Sequence, residues 1–156
     1  MRERVVVLAG SLLVAMITSG ISGVALASNG PKCTLGTLDG LYVFAATGFT
    51  TISPATTPTS PKAIVEIIRF NGDGTLDVPA ATRSINGTIG VSPPGGTGTY
   101  TVADLVPPDG GCTGTLTFLP SGPHFDLFIP LNGKPMWMIQ TDPGNVFQGT
   151  VTQVSN

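Results

Sequence analysis

The sequence predicts an all-β fold: a single antiparallel barrel of about eight strands, closed or nearly closed. Three observations lead there. Gly (21) and Pro (14) are abundant among the 156 residues, which disfavours long helices and favours short strands joined by turns. Beyond the N-terminal segment no stretch carries an apolar 3.6-residue period. Runs of β-branched and aromatic residues recur instead at short intervals between turn signals, as in sandwiches and barrels. With 41% hydrophobic and only 10% charged residues, the chain collapses and does not stay disordered. Its net charge of -2 offers no basic surface for nucleic acid.

Residues 1–27 read as a signal peptide. Arg2 and Arg4 precede an apolar run over 5–24, and Ala25-Leu26-Ala27 puts small residues where signal peptidase reads them. A retained membrane anchor is the competing reading, since 5–27 just suffices to span a bilayer. Thr18, Ser19, Gly20, Ser22 and Gly23 dilute its second half and favour cleavage before Ser28. Gly30-Pro31-Lys32 ahead of Cys33 does not make a lipobox. The expected location is therefore secreted or periplasmic, with no membrane association after cleavage. Residues 28–156 form one domain, with five basic residues against eight acidic ones.

Both cysteines, Cys33 and Cys112, lie in that domain. An even count in an oxidising compartment predicts a disulfide. Neither thiol is then free as a nucleophile, and the lone His124 does not complete a zinc site with them. No cofactor and no metal are expected.

Nine strand-like segments follow in order: 41–48, 63–70, 75–78, 82–91, 97–103, 112–119, 124–129, 135–141 and 146–154. Asn71-Gly72-Asp73-Gly74 turns the second into the third, because Gly supplies the positive φ of a tight connection. The proline-rich stretch 53–61 reads as an exposed loop outside any ladder. Residues 92–96 and 107–111 are shorter loops of the same kind, and none is an interdomain linker.

Several of these motifs carry a resemblance. Thr37-Leu38-Asp39-Gly40-Leu41-Tyr42-Val43-Phe44 and Arg69-Phe70-Asn71-Gly72-Asp73-Gly74-Thr75 resemble the opening of secreted bacterial proteins of uncharacterised function. Gly98-Thr99-Tyr100-Thr101-Val102, Gly111-Cys112-Thr113-Gly114-Thr115-Leu116 and Ile139-Gln140-Thr141-Asp142-Pro143-Gly144 resemble their later signature. Such proteins are similar in pattern to the allene oxide cyclase and dirigent-like β-barrels, a calycin-type architecture. The resemblance implies a barrel. It implies no catalytic residue, because nothing matches the cyclases' active-site set. The insertion at 53–61 departs from the pattern.

Glu66 is the most informative polar residue. On a strand it shares a face with Ile64, Ile68 and Phe70. Near a sheet edge it is simply solvated, the more ordinary outcome. Turned inward, it sits in an apolar lumen and titrates in the range of a general acid or base. Strand parity turns Tyr100, Leu116 and Phe118 to the interior that would also hold Glu66. The Tyr100 hydroxyl is then the expected partner of the carboxylate.

Other candidates are weaker. His124 and Asp126 share a face with Phe128 and read as a solvated strand start. Met136, Met138 and Gln140 alternate with Trp137 and form either core or a ligand wall ending in a hydrogen-bonding group. Asn71-Gly72-Asp73-Gly74-Thr75-Leu76-Asp77 fails the EF-hand pattern and reads as a plain turn. Asn86-Gly87-Thr88 is a formal glycosylation sequon, meaningful only in a eukaryotic secretory route. No Gly-x-Ser-x-Gly elbow is present.

Two function classes remain. The preferred one is a secreted, non-catalytic barrel that binds an apolar small molecule or acts at the cell surface, with Tyr100, Phe118, Met136, Met138 and Gln140 as ligand contacts. The alternative is a cyclase- or isomerase-like enzyme working through Glu66 on a hydrophobic substrate. Residue types alone leave open whether the chain catalyses anything.

Overall fold

The computed structural model describes residues 32–50, 60–105, 110–131 and 135–156. The signal-peptide reading of 1–27 falls outside them, as does most of the proline-rich stretch. Among the described residues there are nine strands: β1 (Asp39–Thr50), β2 (Ser60–Asn71), β3 (Thr75–Ile85), β4 (Thr88–Ser92), β5 (Gly96–Asp104), β6 (Gly111–Leu119), β7 (His124–Pro130), β8 (Met136–Gln140) and β9 (Asn145–Ser155). Eight of them close an antiparallel barrel in the order β1-β2-β3-β5-β6-β7-β8-β9, with β9 returning to β1. β4 stays outside this ring and pairs only with β3. The predicted closed barrel of about eight strands is therefore what the chain forms.

The strand bounds differ from expectation in three main places; first, the expected strand 75–78 runs on through Pro79 into the start of the expected 82–91, and together they make β3. The segment 82–91 is not one strand, because Asn86-Gly87 reverses the chain within it. Asn86 (φ 49°) and Gly87 (φ 80°) both take the left-handed conformation, the geometry of a two-residue hairpin turn that Asn-Gly favours. Ser60 and Pro61 also belong to β2, opposite Thr50 and Phe49. Proline is tolerated there because it sits at the first turn of pairing, where a missing N–H costs least.

Alternation along the strands sorts the barrel into wall and core. Tyr42, Phe44 and Ala46 of β1 point inward, as do Ile68 and Phe70 of β2, Leu116 of β6, Phe125 and Leu127 of β7, and Phe147 and Val151 of β9. The aromatic rings form two layers packed edge to face. At the lower end Phe70 meets Tyr42 and Tyr100, with centroids 5.2 and 5.0 Å away. At the upper end Phe44, Phe118, Phe125 and Phe147 form a second cluster.

The two ends are finished differently. A single 3-10 turn (Leu35–Thr37) and the buried Leu38 lie across the lower end. The Tyr100 hydroxyl holds this segment, 2.9 Å from the carbonyl oxygens of both Leu35 and Leu38. The Cys33–Cys112 disulfide ties it to β6, and the Cys33 N–H donates to the Asp104 carboxylate at 2.7 Å. A buried disulfide is compatible with an extracellular or periplasmic protein.

The upper end is shaped by β3. Its register with β2 shifts by one residue between Ile67 and Arg69, so Val78 and Pro79 together oppose Ile68. This β-bulge swaps the inward parity: Leu76 and Val78 face the core before it, Ala81 after it. At the same point β3 changes partner. Val78–Gly96 is its last pair with β5, and Ala81–Ser92 its first with β4. The upper barrel wall is thus split between β4 and the start of β5.

Replacing both Cys33 and Cys112 by Ala opens a loop of 79 residues, which should lower unfolding free energy by about 4 kcal/mol. Chemical denaturation of the variant checks this; an unchanged midpoint would show that the tether adds nothing to stability.

Candidate functional site

Glu66 enters the barrel from the middle of β2, with Phe44 of β1 on one side and Ala81 of β3 on the other. Beside it lies a cavity of about 370 Å³, open at the upper end. Small residues make the room: Ala81 opposite Glu66, and Gly96 where β5 begins. The walls are Ile64, Val78 and the upper aromatic cluster, and Pro93, Pro123 and Ile85 form part of the rim. Among the described residues three charged side chains reach this space: Glu66, Lys62 and Arg83.

Glu66 is only 6% exposed. Burial penalises its ionised form and pushes the carboxyl from 4.5 up to about 7, while the charge of Lys62 pulls weakly the other way. Lys62 stands two places away on the same face of β2, its Nζ 4.2 Å from the centroid of the Phe147 ring. Burial holds its amine below the ordinary lysine range, although Asp142 and Glu66 act to raise it again and Arg83 adds to the lowering.

A polar thread runs outward from Lys62. Its ammonium donates to Gln140 Oε1 at 3.3 Å, and Gln140 Nε2 donates to Asp142 Oδ2 at 2.7 Å. Asp142 Oδ1 lies 2.6 Å from Nδ1 of the exposed His124, whose backbone N–H donates to the other oxygen at 2.9 Å. Partial burial pushes the Asp142 carboxyl up, but hydrogen bonds from His124 and Gln140 outweigh it and leave the group below its usual range. Four residues from β2, β7, β8 and the β8–β9 turn thereby connect the surface to the cavity wall.

Several sequence expectations meet this geometry, and some are corrected by it. Glu66 faces inward, not into solvent. Phe118 lines the cavity, half-buried. Tyr100 is buried in the same core but is not the partner of Glu66. β5 begins so late that Tyr100 falls in the lower layer, where its hydroxyl is taken by Leu35 and Leu38. Met136, Met138 and Gln140 share the inward face of β8, yet they do not make one ligand wall. Met138 is core packing, Gln140 belongs to the polar thread, and Met136 borders a recess at the lower end.

That recess, about 490 Å³, is the larger space, but among the described residues its lining offers no carboxylate, amine or imidazole side chain. His124 and Asp126 share the outer face of β7 as read, while the acid that engages His124 is Asp142. In the Asn71–Asp77 turn the Asp73 carboxylate accepts from the Thr75 N–H and hydroxyl, at 2.9 and 2.6 Å. Asn86 is exposed at the tip of the β3–β4 turn. Among the described residues no three His, Cys, Asp or Glu side chains are grouped to share a metal ion.

Sequence reasoning missed Lys62, Asp142, Phe44, Phe125 and Phe147. Lys62 was findable, since it shares parity with Glu66 once β2 is extended back to Ser60. Asp142 was not, because only the β7–β8 register brings it to His124. No family model, curated protein or solved structure matches the chain.

The raised Glu66 carboxyl fixes the sign of a pH effect. Between about pH 4.5 and 7 the folded protein holds a proton that the unfolded chain has lost, so stability falls as pH rises through that window. Glu66→Gln should match wild type below the window and exceed it above by about 3 kcal/mol. Urea melts of both proteins across this range measure the difference; parallel curves would mean that Glu66 is not desolvated. A second pair separates core from cavity. Phe125→Ala, at 3% exposure, should cost about 3–5 kcal/mol, whereas the half-buried Phe118→Ala should cost clearly less and widen the mouth.

Proposed function

We propose that this is an exported, non-catalytic barrel that takes an apolar small molecule into its upper cavity. The observation that carries the reading is the cavity itself: about 370 Å³ of space, open at one end and walled by aromatic and aliphatic side chains. Binding sites for small molecules have this size and this ratio of apolar wall to a few placed polar groups. A packed barrel would have left no such space. Export is supported by the disulfide, whose persistence suits an oxidising compartment. Kinship with the allene oxide cyclase and dirigent-like barrels belongs to the same proposal, and the eight-stranded closure agrees with the architecture it implies.

One observation favours a second reading, a cyclase- or isomerase-like enzyme. A carboxyl titrating at about 7 inside an apolar cavity is half-protonated near neutral pH and suits general acid–base work. If that reading holds, Glu66→Gln abolishes conversion of a bound lipophile and leaves its binding intact.

The binding reading is tested with Nile red, an uncharged apolar dye. Its fluorescence should rise on addition of the wild-type protein. Ala81→Leu, which fills the cavity beside Glu66, should remove the rise while far-ultraviolet circular dichroism stays that of the wild type. Equal dye binding by the two proteins would place the apolar site elsewhere. Mass spectrometry of lipophiles that co-purify with the protein then identifies the ligand.

A further inference from the structure

Among the described residues Lys62 is the one amine on the cavity wall, and its position differs from that of a surface lysine. Lys62 and Ile64 both line the cavity from β2, and the lysine head lies over the Phe147 ring of β9. Gln140 accepts one of its hydrogens, which fixes the nitrogen at the rim and does not consume its lone pair once the amine is neutral. Glu66, Arg83 and Asp142 are the charged groups that act on it. Glu66 stands in the same cavity, near enough for the two charges to interact. An amine held at the edge of an apolar space, with a carboxylic acid in that space, is the arrangement that condenses with carbonyl compounds.

We propose that Lys62 is a covalent capture site for apolar aldehydes, which enter the upper cavity and form an imine with its side chain. The proposal rests on the cavity-binding reading and names its ligand class. In the first step the Lys62 lone pair makes the new C–N bond, the carbonyl π pair moves to oxygen, and a proton shifts from nitrogen to that oxygen. A carbinolamine results. In the second step the remaining nitrogen lone pair forms C=N as the C–O bond breaks. Glu66 gives its proton to the departing hydroxyl, which leaves as water. The iminium then faces the Glu66 carboxylate, charge against charge. No oxidant or reductant is required. The reaction is reversible, so release follows from hydrolysis. Burial lowers the ammonium's hold on its proton and raises the carboxyl's, so both shifts run towards the neutral amine and the neutral acid that the reaction uses.

The test uses cuminaldehyde, a compact aromatic aldehyde, with cyanoborohydride to trap the imine, and peptide mass spectrometry to locate it. Lys32, which is exposed, and Lys134 serve as internal references in the same chain. Lys62 should be modified on the order of tenfold faster than either, because the cavity presents the aldehyde to it. Cuminyl alcohol, which has the same shape and cannot form an imine, should suppress labelling of Lys62 alone. Lys62→Arg should lose the fast adduct, and Glu66→Gln should slow it several-fold. Equal labelling of the three lysines, with calorimetry still showing that cuminyl alcohol binds, overturns the capture site and spares the binding reading. Absence of alcohol binding together with equal labelling overturns both.

Discussion

The β-bulge at Val78 and Pro79 is the constraint on which the upper half of the molecule depends. One additional residue in β3 lets that strand satisfy two partners in succession, β5 below and β4 above. A continuous β3–β5 ladder would have brought β5 up to close the wall, and the space beside Glu66 would have been filled by its side chains. Instead β5 begins at Gly96, and the first inward position of the upper β3 segment is the small Ala81. Proline at the bulge fits this arrangement, since an unpaired position makes no demand for its absent N–H.

The same split explains why a carboxylate can be kept inside. Glu66 is flanked by Phe44 and Ala81 and opens onto a cavity, not onto packed hydrocarbon. Its burial is costly in the ionised form, and the neighbouring Lys62 offsets only part of that cost. The lysine is itself restrained by a ring, an amide and, through the amide, an aspartate. Lys62 therefore titrates in an environment set by Asp142, at the far side of that amide, as well as by its own burial.

Much of the architecture was legible in the chain. Strand positions, inward parity on β5 and β6, the Cys33–Cys112 bridge and the closed barrel all follow from short-range pattern and turn chemistry. What escaped has two origins. The bulge in β3 reverses parity without any local sign strong enough to announce it, whereas the break in 82–91 was written locally, in the Asn86-Gly87 turn that alternation alone passes over. Tyr100 was correctly turned inward, but its height in the barrel depends on where β5 starts relative to β3. Parity is a property of one strand; height is a property of the register between strands. Glu66 and Phe118 were found by the first, while Asp142 and the level of Tyr100 needed the second.

The disulfide, the Tyr100 clamp on the 3-10 turn and the lower aromatic layer all lie at the lower end, whereas the upper mouth is built from turn residues and half-buried side chains. Such a division uncouples the two ends under mutation. Changes at Ile85, Pro93 or Phe118 alter what can enter while touching little of what holds the barrel together, so the mouth is free to diversify. The lower end has no such latitude: a change at Tyr100 or Cys112 is felt by the whole fold. Chains descended from a common ancestor of this protein should accordingly keep one end nearly fixed and differ most in the residues around the other.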